Sequence, residues 1–312
     1  PMTILPLHPA DNAASPEALR SFLAGCAAAA ERDGHAKLVS ISLAVDALDP
    51  LAVLESIYEP GEPHFYAERP SHETALAGAE VALAREARGP GRFAELQAWM
   101  QDTLAHTIAV GDVAAPFGGP HVFAAFAFHD EVGALEPFPA AAAFVPRWQV
   151  AWSGATTTAV ANIVVAPGAD LDALALRVWR AYGKFHQLGQ QELVGAELPA
   201  AAPPHFERRE VGAYRTAVAR ALEEIGAGRF AKVVLARAQD LRADRPLHPL
   251  RVLNGLRQRF PDCYAFSFTL GRGPSFIGAS PERLVRLRQG ALETEALAGS
   301  MRRGVGASED VA

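Results

Sequence analysis

From Lys37 the chain reads KLVSISLAV, with Val39, Ile41 and Leu43 separated by serines, the period-two alternation of a strand. PHFYAERP at 63–70 reads as a second strand with an aromatic face, and HVFAAFAFHD, AAAFVPRWQVAWSG and TTAVANIVVAP are apolar runs of strand length broken by Gly and Pro. Helical spacing takes over at Phe93, Leu96, Trp99 and Leu104, and in DLDALALRVWRAY from about Asp170. Ser15 followed by Pro16 marks a helix start, and Gly34 its end. Further on, Tyr214, Val218, Ala221, Leu222 and Ile225 fall on one helical face, stopped by Gly226 and Gly228. KVVLARAQDL then reads as a strand, PLRVLNGLRQRF as a helix, and CYAFSFTL, SFIGAS and RLVRLRQG as strands. Long β stretches mixed with helices predict an α+β fold of stacked, mostly antiparallel sheets with the helices outside. The Pro/Ala-rich ELPAAAPPH at 197–205 predicts a linker, dividing the chain into 1–204 and 205–312.

Composition narrows this picture. Half of the 312 residues are hydrophobic and 21% are charged, enough for a sizeable core and too little charge for global disorder. No apolar run reaches the roughly 18 residues of a membrane span. LAGC at 23–26 lacks the basic start and apolar stretch of a lipoprotein leader, so it belongs to the helix that Ser15 opens. Cys26 and Cys263, far apart and only two, suit a reducing cytoplasm better than a disulfide framework.

Net charge is −6, yet residues 205–312 carry 18 Lys/Arg against 12 Asp/Glu. A basic segment within an acidic chain suits a small anionic ligand better than nucleic acid, although scattered solvated arginines fit the same count. There is no Walker phosphate loop, G-x-S-x-G elbow or H-E-x-x-H pattern, and the ten histidines show no paired ligand spacing. GRGPSF at 271–276 is followed by a strand rather than a helix, so it is a turn and not a dinucleotide fingerprint.

Three stretches offer chemistry. Lys232 is one of three lysines beside 26 arginines, and in KVVLAR it shares a strand face with Val234 and Ala236. Apolar surroundings lower a lysine's pKa and make its neutral amine accessible, which arginine cannot match. In FIGASPERLV, Glu282 sits at a turn between apolar strands, where a raised carboxyl pKa suits a general acid. In ETEALAGSMRRG, the small residues Ala298, Gly299 and Ser300 let backbone N–H groups approach an anion. Singly, each pattern also fits something plainer: a strand-end lysine reaching water, an exposed turn glutamate, a tight turn.

Taken together and in this order, FAKVVLAR, FIGASPERLV and TEALAGSMRRG resemble the first three signatures of the chorismate-utilising enzymes, closest to the menaquinone-type isochorismate synthase branch. The resemblance covers 205–312 closely and extends loosely to FGGPHVFAAFAFHD and FVPRW. It implies a cytoplasmic isomerase that converts chorismate to isochorismate, for menaquinone or siderophore biosynthesis, with no nucleic-acid or membrane partner. On that likeness Lys232 activates water for attack at C2, Glu282 protonates the departing C4 hydroxyl, Ala298, Gly299 and Ser300 touch the substrate through backbone, and Mg²⁺ holds a substrate carboxylate. Lysine at 232, where anthranilate and aminodeoxychorismate synthases carry glutamine, points to the water-using branch, as does the absence of lysine at 298. Salicylate synthases share that lysine and remain the alternative, together with an anthranilate or aminodeoxychorismate synthase component.

The family's chorismate-binding region runs about twice as long as the stretch after the linker. The Mg²⁺ glutamates and main substrate arginine are therefore expected beyond residue 312, and strand edges and apolar surface are expected to be exposed here. Glu293 and Glu295, two apart on an expected strand, would form at most a weak metal site. A non-catalytic piece that needs a partner chain is the reading from a different class.

Overall fold

The computed structural model describes residues 2–5, 15–190 and 204–297. The chain forms two compact units, Pro1–Val194 with Pro249–Ala312, and Gly195–His248. Where the sequence suggests a divide at 204/205, the chain after His248 instead rejoins the first unit, its residues 265–270 pairing with 63–68.

The larger unit contains β1 (Thr3–Leu5), α1 (Pro16–Asp33), β2 (Lys37–Val45), α2 (Pro50–Ser56), β3 (Pro63–Arg69), β4 (Thr74–Ala79), β5 (Leu83–Ala87), α3 (Arg92–Ala105), β6 (Thr107–Gly111), β7 (Phe123–Phe126), β8 (Ala141–Val145), β9 (Trp148–Ser153), β10 (Thr156–Val165) and α4 (Leu171–Gln190). The smaller unit holds β11 (Phe206–Val211), α5 (Tyr214–Gly226) and β12 (Ala238–Ala243). The chain then returns with α6 (Pro249–Arg259), β13 (Tyr264–Leu270), β14 (Phe276–Ser280), β15 (Arg286–Arg288) and β16 (Ala291–Glu293).

Helix ends obey the local signals. Ser15 accepts a hydrogen bond from the Ala18 N–H at 3.2 Å, Pro16 takes the first turn, and Gly34 closes α1 at φ 69°. Asp170 Oδ1 accepts from the Ala173 N–H in the same way at the start of α4.

Nine strands form the main sheet in the order β1-β6-β2-β10-β9-β4-β3-β13-β14. Its neighbours are antiparallel except β6, which runs parallel to both β1 and β2. Alternation sends each strand's residues to two different layers. On one face Val39 lies opposite Ile163 and Ile41 opposite Ala161, packed beneath Leu19, Leu23 and Cys26 of α1 and Val178 of α4. Farther along that face, Tyr66, Ala77 and Ala265 receive Leu51 and Leu54 of α2 and Leu250 and Leu253 of α6.

The opposite face meets the three-stranded sheet β5-β8-β7. Here Phe123 stacks on Phe65 with centroids 4.2 Å apart, alongside Phe144 and Phe268. Gly78 makes this possible, since a Cβ there would come within 2.3 Å of the Phe123 ring. Helix α3 covers the outside of the smaller sheet through Leu96. Only Leu96 of the expected α3 face is fully buried, while Phe93 is 53% exposed and stacks on Phe126.

A polar cluster ties the returning chain to the first part. Arg257 of α6 donates to both carboxylate oxygens of Asp49, at 3.0 and 2.7 Å, and to Glu68 at 3.2 Å. Tyr66 donates to the same Glu68 oxygen at 2.6 Å, and Asp49 also caps α2 through the Leu51 N–H. Burial alone would lower the Arg257 pKa, but hydrogen bonding and charge from Asp49 outweigh it and hold it above the ordinary value. Burial, reinforced by the Glu68 charge, pushes the Tyr66 phenol well above its usual range.

Arg257→Met removes the cation but leaves Glu68, only 6% exposed, without charge compensation. Stability should fall by roughly 3 kcal/mol, at the low end for a broken buried pair because Asp49 is partly exposed. Urea denaturation checks it, and a loss below about 1 kcal/mol would show that the cluster does not hold the two stretches together.

Burial pushes the Cys26 thiol up to about 11, so it stays protonated throughout the neutral range. At pH 8 a thiol reagent should modify half-buried Cys263 while sparing Cys26 until the protein unfolds. Since the folded pKa lies above the unfolded one, the Cys26 contribution to stability is complete below about pH 8.5 and fades as pH rises toward 11. Equal reaction rates for the two thiols would contradict this packing.

Candidate active site

Lys232 belongs to the smaller unit, Glu282 to the larger. Ala298, Gly299 and Ser300 lie outside the described residues.

The strand expected from Lys232 begins only at Ala238. Antiparallel pairing with β11 runs from Ala238 opposite Val211 to Ala243 opposite Phe206, and residues 231–237 join no ladder. Without neighbours on either side, that segment leaves Lys232 exposed, and Val234 with it at 93%. The apolar enclosure that the sequence suggests for this amine is therefore missing. The apolar face expected of α5 is likewise unburied, with Leu222 63% exposed. Both corrections share one physical reason: the described residues of this 54-residue unit form a two-stranded sheet and one helix, which offer little for an apolar face to pack against.

Glu282 comes after β14, the last strand of the main sheet. β14 pairs with β13 from Phe276 opposite Phe268 to Ser280 opposite Tyr264, which fixes where the chain turns. Ser280 Oγ accepts from the Glu282 N–H at 3.2 Å, so the turn is locally braced. The Glu282 side chain is exposed, not set among apolar strands as the sequence suggests. Beyond it, β15 and β16 form a short hairpin across Gln289 and Gly290, both at positive φ. This hairpin is all that forms from the expected RLVRLRQG strand, because Arg286–Arg288 pairs only with Ala291–Glu293.

Arg283, next to Glu282, was not singled out by its sequence, yet it organises this region. Its guanidinium lies 2.8 Å from Glu295 and 3.8 Å from Glu293, and Arg286 approaches Glu293 at 3.6 Å. Thr294 Oγ1 donates to the Leu284 carbonyl at 3.0 Å. The Glu282 turn and the strand leading toward residues 298–300 are thus fastened to each other. Arginines already occupy the two carboxylates, and among the described residues no group of three His, Cys, Asp or Glu side chains could hold a metal ion. The described residues therefore offer no Mg²⁺ site of their own, and the ligands that the sequence resemblance implies are expected beyond residue 312.

A second polar group missed by sequence reading joins the main sheet to the segment that leads into β7. Gln149 Nε2 donates to the Gly119 carbonyl at 2.9 Å, its Oε1 accepts from the His121 N–H, and Asn162 Nδ2 donates to the Pro146 carbonyl. Burial lowers the His121 pKa, partly offset by the Gly119 carbonyl. Serines alternating with Val39 and Ile41 in KLVSISLAV were the available signal, since Ser42 Oγ accepts from the Gly119 N–H at 2.8 Å.

Residues 22–312 match the family described as chorismate binding enzyme. The chain is 33% identical over 284 residues to the salicylate biosynthesis isochorismate synthase of Pseudomonas aeruginosa, covering 88% of this chain and 56% of that protein. It is 27% identical over 292 residues to the isochorismate synthase MenF of Bacillus subtilis, covering 90% and 60% respectively. Among solved structures, the menaquinone-specific isochorismate synthase MenF of Escherichia coli superposes with a TM-score of 0.58 at 19% identity, over 93% of this chain and 62% of that one. That likeness shows the fold. The chain spans somewhat more than half the length of the curated relatives it matches.

The exposure of Lys232 is directly measurable. Lys37 is 8% exposed and paired with Asp33 at 2.5 Å. Limiting acetic anhydride followed by peptide mass spectrometry should therefore acetylate Lys232 at least about tenfold faster than Lys37, because a desolvated, ion-paired amine is a poor nucleophile. Comparable protection of Lys232 would mean that it is enclosed after all.

Proposed function

The chain belongs to the chorismate binding enzyme family, and on that premise we propose that it is part of a cytoplasmic isochorismate synthase that converts chorismate to isochorismate. The single observation that supports this best is the 33% identity over 284 residues to a relative named for that activity. The three motifs agree with it, and lysine rather than glutamine at 232 favours water as the nucleophile.

In this reading the Lys232 amine takes a proton from water as its oxygen bonds to C2 of chorismate. The ring double bond shifts, the C4–O bond breaks, and the Glu282 carboxyl supplies the proton that lets the hydroxyl leave as water. One water enters and one leaves, so no oxidant or second substrate is needed. The base must be neutral and the acid protonated near pH 7, which calls for desolvation of both. Neither group is buried in this structure, so turnover requires both to be covered. With no Mg²⁺ ligand set among the described residues, no step is placed on the metal.

The same exposure favours a second reading: this chain is inactive alone and contributes its half of the fold to a larger assembly. Chorismate conversion separates the two readings. If the chain is active, Lys232→Ala and Glu282→Gln should each lower the rate by about 10²–10⁴, with substrate affinity changed far less. Near-normal isochorismate formation by Lys232→Ala would overturn the assigned base, whereas no turnover by the unaltered chain would favour the second reading.

A further inference from the structure

A cavity of about 690 Å³ in the bigger unit lies away from Glu282, between the end of α2, the start of β9 and one side of α4. We propose that it is a binding site for a small carboxylic acid carried on a flat apolar body. The size is that of a site for a small organic molecule, and an inorganic anion would fill little of it.

Charge selects the ligand's sign. Ala173, Leu176, Arg177, Arg180 and Ala181 of α4 line the cavity at spacings of three and four residues, so they form one face of the helix. This brings Arg177 and Arg180 one turn apart, a like-charged pair that disfavours itself. Both are exposed, and neither has an ion-pair or hydrogen-bond partner among the described residues. Opposite them Arg147 is already committed, approaching Glu80 at 3.4 Å and donating to the Val81 carbonyl at 3.2 Å. The other oxygen of Glu80 accepts from Trp148 Nε1 at 3.1 Å. Glu80 is thus neutralised and the indole is held by its own hydrogen bond. Of the described carboxylates lining the cavity only Glu59 remains, exposed and on the α2 side, against two uncommitted guanidiniums.

Apolar lining selects the body. Ile57, Leu176 and Trp148 border the same space as the arginines. A carboxylate can bridge Arg177 and Arg180 through charge-assisted hydrogen bonds while a ring attached to it displaces water from those side chains. All of these residues belong to one compact unit, and none has a role in the proposed reaction, so the inference stands apart from the isochorismate synthase reading.

Benzoate is a suitable probe, titrated calorimetrically into the full chain with inorganic phosphate in parallel. Benzoate should bind saturably with a dissociation constant of about 1 mM or tighter, the scale expected for a ligand of its size, and phosphate should bind at least about tenfold more weakly. Arg177→Gln with Arg180→Gln should weaken benzoate at least about tenfold without lowering the melting temperature, since both side chains are exposed and mutually repulsive. Glu59→Gln should tighten it. Absence of saturable benzoate binding in the millimolar range, equal binding of phosphate, or unchanged benzoate affinity in the double variant would each overturn the proposal. Loss of chorismate turnover, by contrast, would bear only on the catalytic reading.

Discussion

Pairing between β3 and β13 is the constraint on which the rest of the larger unit depends. Six residue pairs, from Ala265 opposite Glu68 to Leu270 opposite Pro63, join stretches about 200 residues apart in sequence. Closing so long a loop costs chain entropy before any contact repays it. The repayment is concentrated beside the pairing: Leu250 and Leu253 fill the core beneath it, and Arg257 bridges Asp49 and Glu68. At the far end of the same ladder, the Ser71 N–H donates to the Pro261 carbonyl, and Arg69 stacks over the Tyr264 ring. β14 is then placed by β13, and the Glu282 turn by β14. The candidate acid therefore inherits its position from a junction made by residues with no chemical role of their own.

Strongly perturbed titratable groups often mark catalytic sites, but in this fold they mark packing. Tyr66, Cys26 and His121 owe their shifts chiefly to burial among strands and helices of the larger unit, while Arg257 is held up, against its burial, by the Asp49 carboxylate. Lys232 and Glu282 sit where water screens them. A general base and acid work when their environments drive their proton affinities toward neutrality from opposite sides. Both side chains are exposed, so the motifs bring the right residue types without the burial that such an environment requires.

What could be read from the sequence was local. The cap at Ser15, the stop at Gly34 and the alternation of KLVSISLAV act within a few residues, and the structure obeys them. Sheet order was not legible, because which strands meet depends on long-range closure; nothing in PHFYAERP says that its neighbours are β4 and β13. KVVLAR shows the limit from the other side. Alternation and β-branched residues suit a strand, but a strand needs a partner ladder, and from 231 to 237 it has none. The α5 stripe is amphipathic for the same kind of reason: periodicity announces a face to be covered without providing the cover. Of the candidate site, residue types and order were legible. Exposure, the Arg283 ion pairs and the Arg257 cluster were not, since ion pairing between residues distant in sequence leaves no periodic trace.

Arg283 changes how the motifs should be divided. Read along the chain, FIGASPERLV and TEALAGSMRRG are separate signatures. In space, Arg283 from the first binds Glu293 and Glu295, which lead into or open the second, and Thr294 reaches the Leu284 carbonyl. Each such contact is weak where water competes, but several on one short hairpin restrict it together. The Glu282 turn and the approach to residues 298–300 thus behave as one element anchored on β14, while Lys232 belongs to a unit with no buried residue in its helix and a free-standing pair of strands. The mechanical support for a candidate acid is in place; that for the candidate base is not. Placing a lysine amine requires packing around its stem and desolvation of its head, and only cover over residues 231–237 could provide both.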